Sequence, residues 1–254
     1  MSKLGARWNS LGTVGSVVLG SLCLGGAIVY TAVVGASIVA APAIRTEAAA
    51  QTMSGLSELP QAPVASLEIR VDDERVASSL TTPEATDLHG LFALMREREV
   101  DGVAMEVSSH ALALGRVDGV RYDVAVFTNL SQDHLDFHSD LRDYFDTKAR
   151  LFTPEFAKVA VVNRDDTFGR ELVDRITEQG AIPVTTFSAA GDAEADWYAT
   201  DVVLGPEGSR FRVVGPGGME MDASVRLPGP FNVSNALAAI VALIEAGVQL
   251  PTAL

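Results

Sequence analysis

The chain has 254 residues, of which 48% are hydrophobic and 20% charged, as is ordinary for a protein with a substantial core. Its formal net charge is −14. A nucleic-acid-binding surface needs a basic patch to neutralise phosphates, so this acidic balance argues against nucleic acid as a partner. The single cysteine, Cys23, cannot form an internal disulfide, and we therefore expect a reduced, cytoplasmic setting.

The amino-terminal segment differs in composition from the rest of the chain. No charged residue occurs from Leu11 to Ile44, and about 20 apolar residues are enough to cross a bilayer. One interpretation is a membrane-spanning segment over residues 11–41, with Lys3 and Arg7 holding the amino end in the cytoplasm. The alternative is a buried, glycine-rich unit of strand and helix.

A Pro- and Ala-rich stretch follows this segment and predicts a domain boundary near Pro63. We expect residues 1–62 to form an apolar extension and linker, and residues 63–254 to form the main domain.

Beyond Pro63, the apolar residues alternate between the periods of strands and helices. The predicted strands are 67–71, 102–107, 122–128, 158–163 and 182–187, and the predicted helices are 83–98, 141–151 and 166–179. Strands that alternate with helices are typical of an α/β fold with a mostly parallel sheet and helices on both faces. The last predicted elements are a small antiparallel meander of strands 197–204, 209–214 and 220–227, and a helix over 232–246.

In an open parallel sheet, ligands bind beyond the carboxyl ends of the strands. Glu106 ends a hydrophobic strand, where an unpaired carboxylate would be costly, so it needs a cation, a cluster of donors or a proton. A metal ion and a helix cap are the two interpretations. His134 and His138 follow the neighbouring strand, and the shared edge could bring His134 towards Glu106. Asp and His are common in loops, so these histidines alone are a weak metal signal.

Lys148 falls among apolar residues at helical spacing. The stripe places this lysine on the face predicted to be buried, and its members are Leu141, Tyr144, Phe145, Lys148, Leu151 and Phe152. The ammonium group could snorkel to solvent. Alternatively, a buried lysine with a lowered pKa presents a neutral amine that can react with carbon dioxide, and the resulting carbamate is an anionic metal ligand.

Five motifs occur in the order in which they occur in the Mur ligases, and the chain resembles that family over residues 67–250. The motifs are Leu80–Glu84, Met105–Leu112, Asn129–His138, Tyr144–Phe152 and Leu227–Ala239. The resemblance implies an ATP-dependent amide ligase of peptidoglycan synthesis, in which a substrate carboxylate is phosphorylated and an amine then attacks the acyl phosphate. It is strongest to the branch that adds a third residue to UDP-N-acetylmuramoyl-L-alanyl-D-glutamate.

The resemblance also implies which residues bind the substrates. Thr81, Thr82, Ser108 and Arg116 match positions that hold the nucleotide-sugar dipeptide, and Asn235 matches an asparagine near the adenine of ATP.

The resemblance further implies a catalytic metal centre. Glu106 and His134 match ligands of Mg²⁺, and Lys148 matches a lysine that is carbamylated in these enzymes. Phosphoryl transfer depends on positioning and on neutralising oxygen charge, so an Mg²⁺ ion held by these three residues suits the reaction.

The chain departs from the family at the phosphate-binding loop. Its three lysines follow Ser2, Thr147 and Ala157, so the chain has no Gly-Lys pair, whereas a phosphate loop of the G-x-x-x-x-G-K-[ST] type requires one. Residues 39–45, where the family has this loop, read Val-Ala-Ala-Pro-Ala-Ile-Arg.

The sequence ends at Leu254, soon after the predicted helix that contains Asn235, so we expect the carboxy-terminal domain that binds the incoming amino acid to be missing. We therefore expect a truncated, monomeric ligase domain with little or no turnover. Two alternatives are an inactive module that binds the UDP-muramoyl dipeptide, held at the membrane by residues 11–41, and a metal-dependent hydrolase. The hydrolase would use Asp133, His134, Asp136 and His138.

Overall fold

The computed structural model of the chain describes the backbone of residues 30–34, 68–71 and 74–77, and describes residues 82–97, 102–130 and 137–254 in full. The strands in these ranges are β1 (Tyr30–Val34), β2 (Glu68–Val71), β3 (Glu74–Ala77), β4 (Gly102–Glu106), β5 (Tyr122–Phe127), β6 (Ala157–Asn163), β7 (Val184–Ser188), β8 (Trp197–Gly205), β9 (Gly208–Gly215) and β10 (Met219–Val225). The helices are α1 (Ala85–Glu97), α2 (Ser109–Ala113), α3 (Leu141–Ala149), α4 (Thr167–Gln179), α5 (Pro230–Glu245) and α6 (Leu250–Ala253).

Among the described residues, the main sheet has eight strands in the order β10-β9-β8-β7-β6-β5-β1-β4. Strands β5 to β8 are parallel neighbours, whereas β8, β9 and β10 form an antiparallel meander. β1 pairs antiparallel with both β4 and β5, so those two strands point in the same direction. β2 and β3 form a separate hairpin. The predicted fold, a mostly parallel sheet with a small antiparallel meander, is confirmed.

Helices cover both faces of the sheet, as predicted. Successive side chains of a strand point to opposite faces, so neighbouring residues of one strand pack against different helices. In β5, Phe127 packs in one core cluster with Leu172 of α4. Its neighbour Val126 packs in a second cluster with Leu237 of α5. The helices α1 to α4 therefore lie on one face and α5 lies on the other.

Aspartate side chains cap the amino ends of the two helices α3 and α4, which follow β5 and β6. Asp140 caps α3 by accepting a hydrogen bond from the backbone N–H of Asp143 at 2.8 Å. Asp166 caps α4 by accepting from Phe168 at 2.7 Å, and its second oxygen accepts from the backbone N–H of Leu130 at 3.3 Å. A cap of this kind satisfies a helix N–H that lacks an intrahelical partner. Asp166 in addition ties the start of α4 to the segment that leaves β5.

Four of these elements were not predicted from the sequence, among them the four-residue helix α6. α2 spans five residues, which is too short to show helical periodicity. β3 reads Glu-Arg-Val-Ala and lacks the alternation of a half-buried strand. β1 lies within a long apolar run, where periodicity cannot distinguish a strand from a helix.

Two predictions concern residues that are largely outside the described ranges. The candidate membrane segment, residues 11–41, lies outside them except for β1, and the boundary near Pro63 lies outside them entirely. In the described part of the chain, none of the helices combines the length and the apolar character needed to cross a bilayer.

We predict that Gly169→Ala destabilises the fold, because an alanine Cβ would stand 1.9 Å from the carbonyl oxygen of Asn163. The expected loss of unfolding free energy is about 1–3 kcal/mol, as for other overpacked sites, measured by urea denaturation. Gly90 is the matched control, since it also lies within a helix and an added Cβ meets nothing within 4 Å. Gly90→Ala should stabilise by up to about 1 kcal/mol. Equal midpoints for Gly169→Ala and the unmodified protein would contradict this packing.

Candidate functional site

The carboxyl ends of four strands lie at one edge of the main sheet, here called the carboxyl edge. Their last residues are Glu106 of β4, Phe127 of β5, Asn163 of β6 and Ser188 of β7. β1 runs the other way: Tyr30 pairs with Glu106 and Val34 with Gly102. The carboxyl end of β1 therefore lies at the opposite edge.

The turn after β4 is held by a buried threonine. The hydroxyl of Thr82 donates to the carbonyl oxygen of Glu106 at 3.0 Å and accepts from the backbone N–H of Ser108 at 3.2 Å. Ser108 then caps α2, since its hydroxyl accepts from the N–H of Ala111 at 3.1 Å. The structure thus brings together three predicted site residues, Thr82, Glu106 and Ser108. The hydroxyl of Thr82 makes both of these hydrogen bonds within the turn, and the residue is 0% exposed.

Arg116 connects the segment after α2 with the Thr-Thr-Pro-Glu motif. Its Nη2 atom lies 2.8 Å from a carboxylate oxygen of Glu84, and the arginine side chain is only 15% exposed. Its Nε is buried and has no hydrogen-bond partner among the described residues. A buried N–H without an acceptor is costly, by about 1–3 kcal/mol. Arg116 can therefore offer a donor to an anionic ligand while it keeps its contact with Glu84.

Lys148 lies on the buried face of α3, as predicted. Its neighbours on that face, Tyr144 and Phe145, are 0% exposed, and Lys148 itself is 2% exposed. The Nζ atom lies 5.0 Å from the centroid of the Tyr144 ring, within the range of a cation–π contact. Snorkelling is therefore wrong as an explanation of this lysine, because a snorkelling ammonium group must reach solvent.

His138 has a partner at both ring nitrogens. Nε2 lies 2.9 Å from the hydroxyl of Ser109, and Nδ1 lies 3.4 Å from a carboxylate oxygen of Asp143. The backbone N–H of Ser139, and then His138, hold the pKa of the Asp143 carboxyl below its usual value. Since neither nitrogen of His138 is left for a metal, this arrangement does not support the hydrolase alternative.

Ser109 and the polar residues that join β5 to β6 were missed by the sequence analysis. Asn163 donates to the carbonyl oxygen of Thr128 at 2.7 Å, next to the bond between Asp166 and Leu130. These bonds fix the segment that leaves β5 towards residues 131–136. No sequence signal identifies them, because side-chain bonds between distant strands follow no spacing rule.

Of the other three predicted site residues, the structure describes Asn235. Thr81 and His134 lie outside the described residues. Asn235 lies in the second turn of α5 and is partly exposed, on the face of the sheet opposite to α3. Within the described ranges, no group of three or more His, Cys, Asp or Glu side chains is placed to hold a metal ion.

Comparisons with known proteins agree with the fold and the motifs. The family described as "Mur ligase middle domain" matches residues 46–243. The UDP-N-acetylmuramoyl-L-alanyl-D-glutamate--2,6-diaminopimelate ligase of Streptomyces avermitilis is 58% identical over 186 residues, which are 73% of this chain and 36% of that protein. The UDP-N-acetylmuramyl-tripeptide synthetase of Leifsonia xyli is 48% identical over 72% of this chain and 35% of that protein.

A solved structure of a UDP-N-acetylmuramoyl-L-alanyl-D-glutamate--2,6-diaminopimelate ligase is also similar. It matches 68% of this chain and 35% of its own chain, with 33% identity and a TM-score of 0.62. The chain thus spans about a third of the length of the relatives that it matches. Because the family match extends over most of its residues, the chain belongs to the Mur ligase family, through the middle domain of that family.

Proposed function

We propose that this chain provides the catalytic middle domain of an ATP-dependent ligase in cytoplasmic peptidoglycan precursor synthesis. A carboxylate of UDP-N-acetylmuramoyl-L-alanyl-D-glutamate takes the γ-phosphoryl group of ATP, which yields an acyl phosphate and ADP. An amine then attacks the acyl carbon and forms the amide, while phosphate leaves and the amine loses a proton. The names of two relatives, 58% and 54% identical, support 2,6-diaminopimelate as the amine.

The observation that carries the proposal is the burial of Lys148. Lys148 is 2% exposed on the buried face of α3, and a buried lysine amine in its neutral form can react with carbon dioxide. The neutral amine attacks carbon dioxide, loses a proton and becomes a carbamate with one negative charge. We propose that this carbamate, Glu106 and His134 hold Mg²⁺, which neutralises charge on the phosphate oxygens during transfer.

The turn after β4 supports the binding of the dipeptide substrate. Thr82 holds Ser108 beside Glu106, and Arg116 keeps a buried Nε without an acceptor among the described residues. We propose that Arg116 binds an anionic group of the UDP-muramoyl dipeptide, with Thr81, Thr82 and Ser108 shaping the same site. Asn235 is proposed to lie near the adenine of ATP.

A second candidate is a module that binds the UDP-muramoyl dipeptide without catalysing ligation. Two observations favour it over an active ligase. The chain has no Gly-Lys pair for a phosphate loop. β1, the described strand that precedes residues 39–45, ends at the edge opposite to Glu106.

The carbamate is tested by ¹³C NMR of the protein in ¹³C-bicarbonate. We expect one carbamate signal in the unmodified chain and none in Lys148→Arg, because guanidinium does not react in this way. Lys158→Arg is the control, since Lys158 is partly exposed and paired with Asp123, and it should keep the signal. A signal that survives Lys148→Arg would contradict the proposed metal ligand.

Arg116 is tested by calorimetric titration with UDP-N-acetylmuramoyl-L-alanyl-D-glutamate. A hydrogen bond to a charged group contributes about 1.5–3 kcal/mol, so Arg116→Ala should weaken binding by about 10- to 100-fold. Arg212→Ala is the control, because Arg212 lies in the meander and contacts Asp222 at 3.0 Å. Equal affinity of the two variants would remove Arg116 from the proposed site.

The two candidate functions are separated by an ATPase assay with Mg²⁺ and the dipeptide. For the proposed ligase we expect slow hydrolysis that depends on the dipeptide and is lost in Lys148→Arg; the rate should be low because the chain has no Gly-Lys pair for a phosphate loop. Binding of the dipeptide without any hydrolysis would instead establish the binding module.

A further inference from the structure

His138 connects α2 and α3, the helices on either side of it, through its contacts with Ser109 and Asp143. Ser109 is the first residue of α2 and Asp143 lies in the first turn of α3. The imidazole lies between them, 2.9 Å from the Ser109 hydroxyl and 3.4 Å from the Asp143 carboxylate. A ring that carries its proton on Nδ1 suits both contacts, since the N–H faces the Asp143 carboxylate and Nε2 can accept from the Ser109 hydroxyl.

Ser109, His138 and Asp143 contact one another in the same order as the members of a Ser-His-Asp nucleophilic triad. Their exposure to solvent excludes that role. Ser109 is 1% exposed, and a nucleophile must reach the carbon that it attacks. Asp143, by contrast, has a side chain that is 48% exposed, whereas the orienting carboxylate of the Ser-His-Asp template is buried. The three residues therefore hold the two helices in position and do not attack a bound carbonyl group.

The contacts continue from His138 to Lys148. The ring of His138 lies 5.0 Å from the ring of Tyr144, with 30° between the planes. Tyr144 in turn faces the Nζ atom of Lys148 at 5.0 Å. At the other end, Ser109 lies three residues after Glu106. A continuous series of contacts thus links the end of β4 to the buried lysine.

We propose that His138 is a positioning residue, which holds the end of β4 and the buried face of α3 in one fixed arrangement. The proposal rests on the proposed function, because its purpose is to place Glu106 and Lys148 for one metal ion. Imidazole suits this task because it offers two nitrogens on different sides of a flat ring.

The test compares His138→Phe and Ser109→Ala with the unmodified chain by hydrogen exchange and by Mn²⁺ binding. Phenylalanine keeps a ring against Tyr144 but removes both polar contacts. We expect exchange to become about tenfold faster in peptides that include α2 and in those that include α3, as after loss of a local constraint. Binding of Mn²⁺, followed by electron paramagnetic resonance in bicarbonate, should weaken by about tenfold, as when a group behind a metal ligand is removed.

Thr186→Val is the matched control. Thr186 is also a buried hydroxyl residue, and it bonds Asp196 at 2.7 Å between β7 and β8. The control should lose stability without changing exchange in α2 and α3 or the affinity for Mn²⁺. Ser109→Ala removes only one contact, so it should change the same two helices by less, and it replaces His138→Phe if that variant does not fold.

The proposal is overturned if His138→Phe leaves exchange in α2 and α3 unchanged, or if Thr186→Val speeds exchange there equally. It is also overturned if exchange rises while Mn²⁺ affinity stays the same. An unmodified chain that binds no Mn²⁺ would instead refute the metal centre of the proposed function. In that case, the exchange data alone decide whether His138 holds the two helices together.

Discussion

The hydrogen bonds of the Thr82 hydroxyl determine where the proposed site begins. They close the turn between Glu106 and Ser108 at the point where β4 ends. Backbone groups that leave a sheet lose their ladder partners, and in a buried position they need replacements. Thr82 provides one donor and one acceptor for this turn, so the backbone leaves β4 along a fixed path. α2 and its cap on Ser108 follow directly from that turn.

The buried face of α3 is the second constraint. Lys148 is 2% exposed, and a buried lysine needs compensation for the lost hydration of its cation. The ring of Tyr144 supplies part of that compensation. Conversion to a carbamate would change the sign of the charge, and a divalent cation would then compensate for it.

The antiparallel direction of β1 matters for nucleotide chemistry. β1 lies between β4 and β5, the two strands whose ends carry Glu106 and the segment towards His134. A parallel strand in that place would deliver its following loop to the carboxyl edge, where phosphates bind in sheets of this type. β1 delivers its carboxyl end to the opposite edge. Its direction agrees with a sequence that lacks the glycine and lysine of a phosphate loop.

The sequence by itself determined the α/β class, the meander and the position of Lys148 on the inner face of its helix, because these depend on local periodicity, and periodicity is visible in one chain. The five motifs determined the family, because they occur in a fixed order. Only the tertiary structure decided that Thr82 supports Glu106, that both nitrogens of His138 are used, and that β1 runs against its neighbours. The physical reason is that each of these depends on a contact between residues 20 or more positions apart. The partner in such a contact is chosen by the path of the whole backbone, and no local pattern in the sequence encodes it.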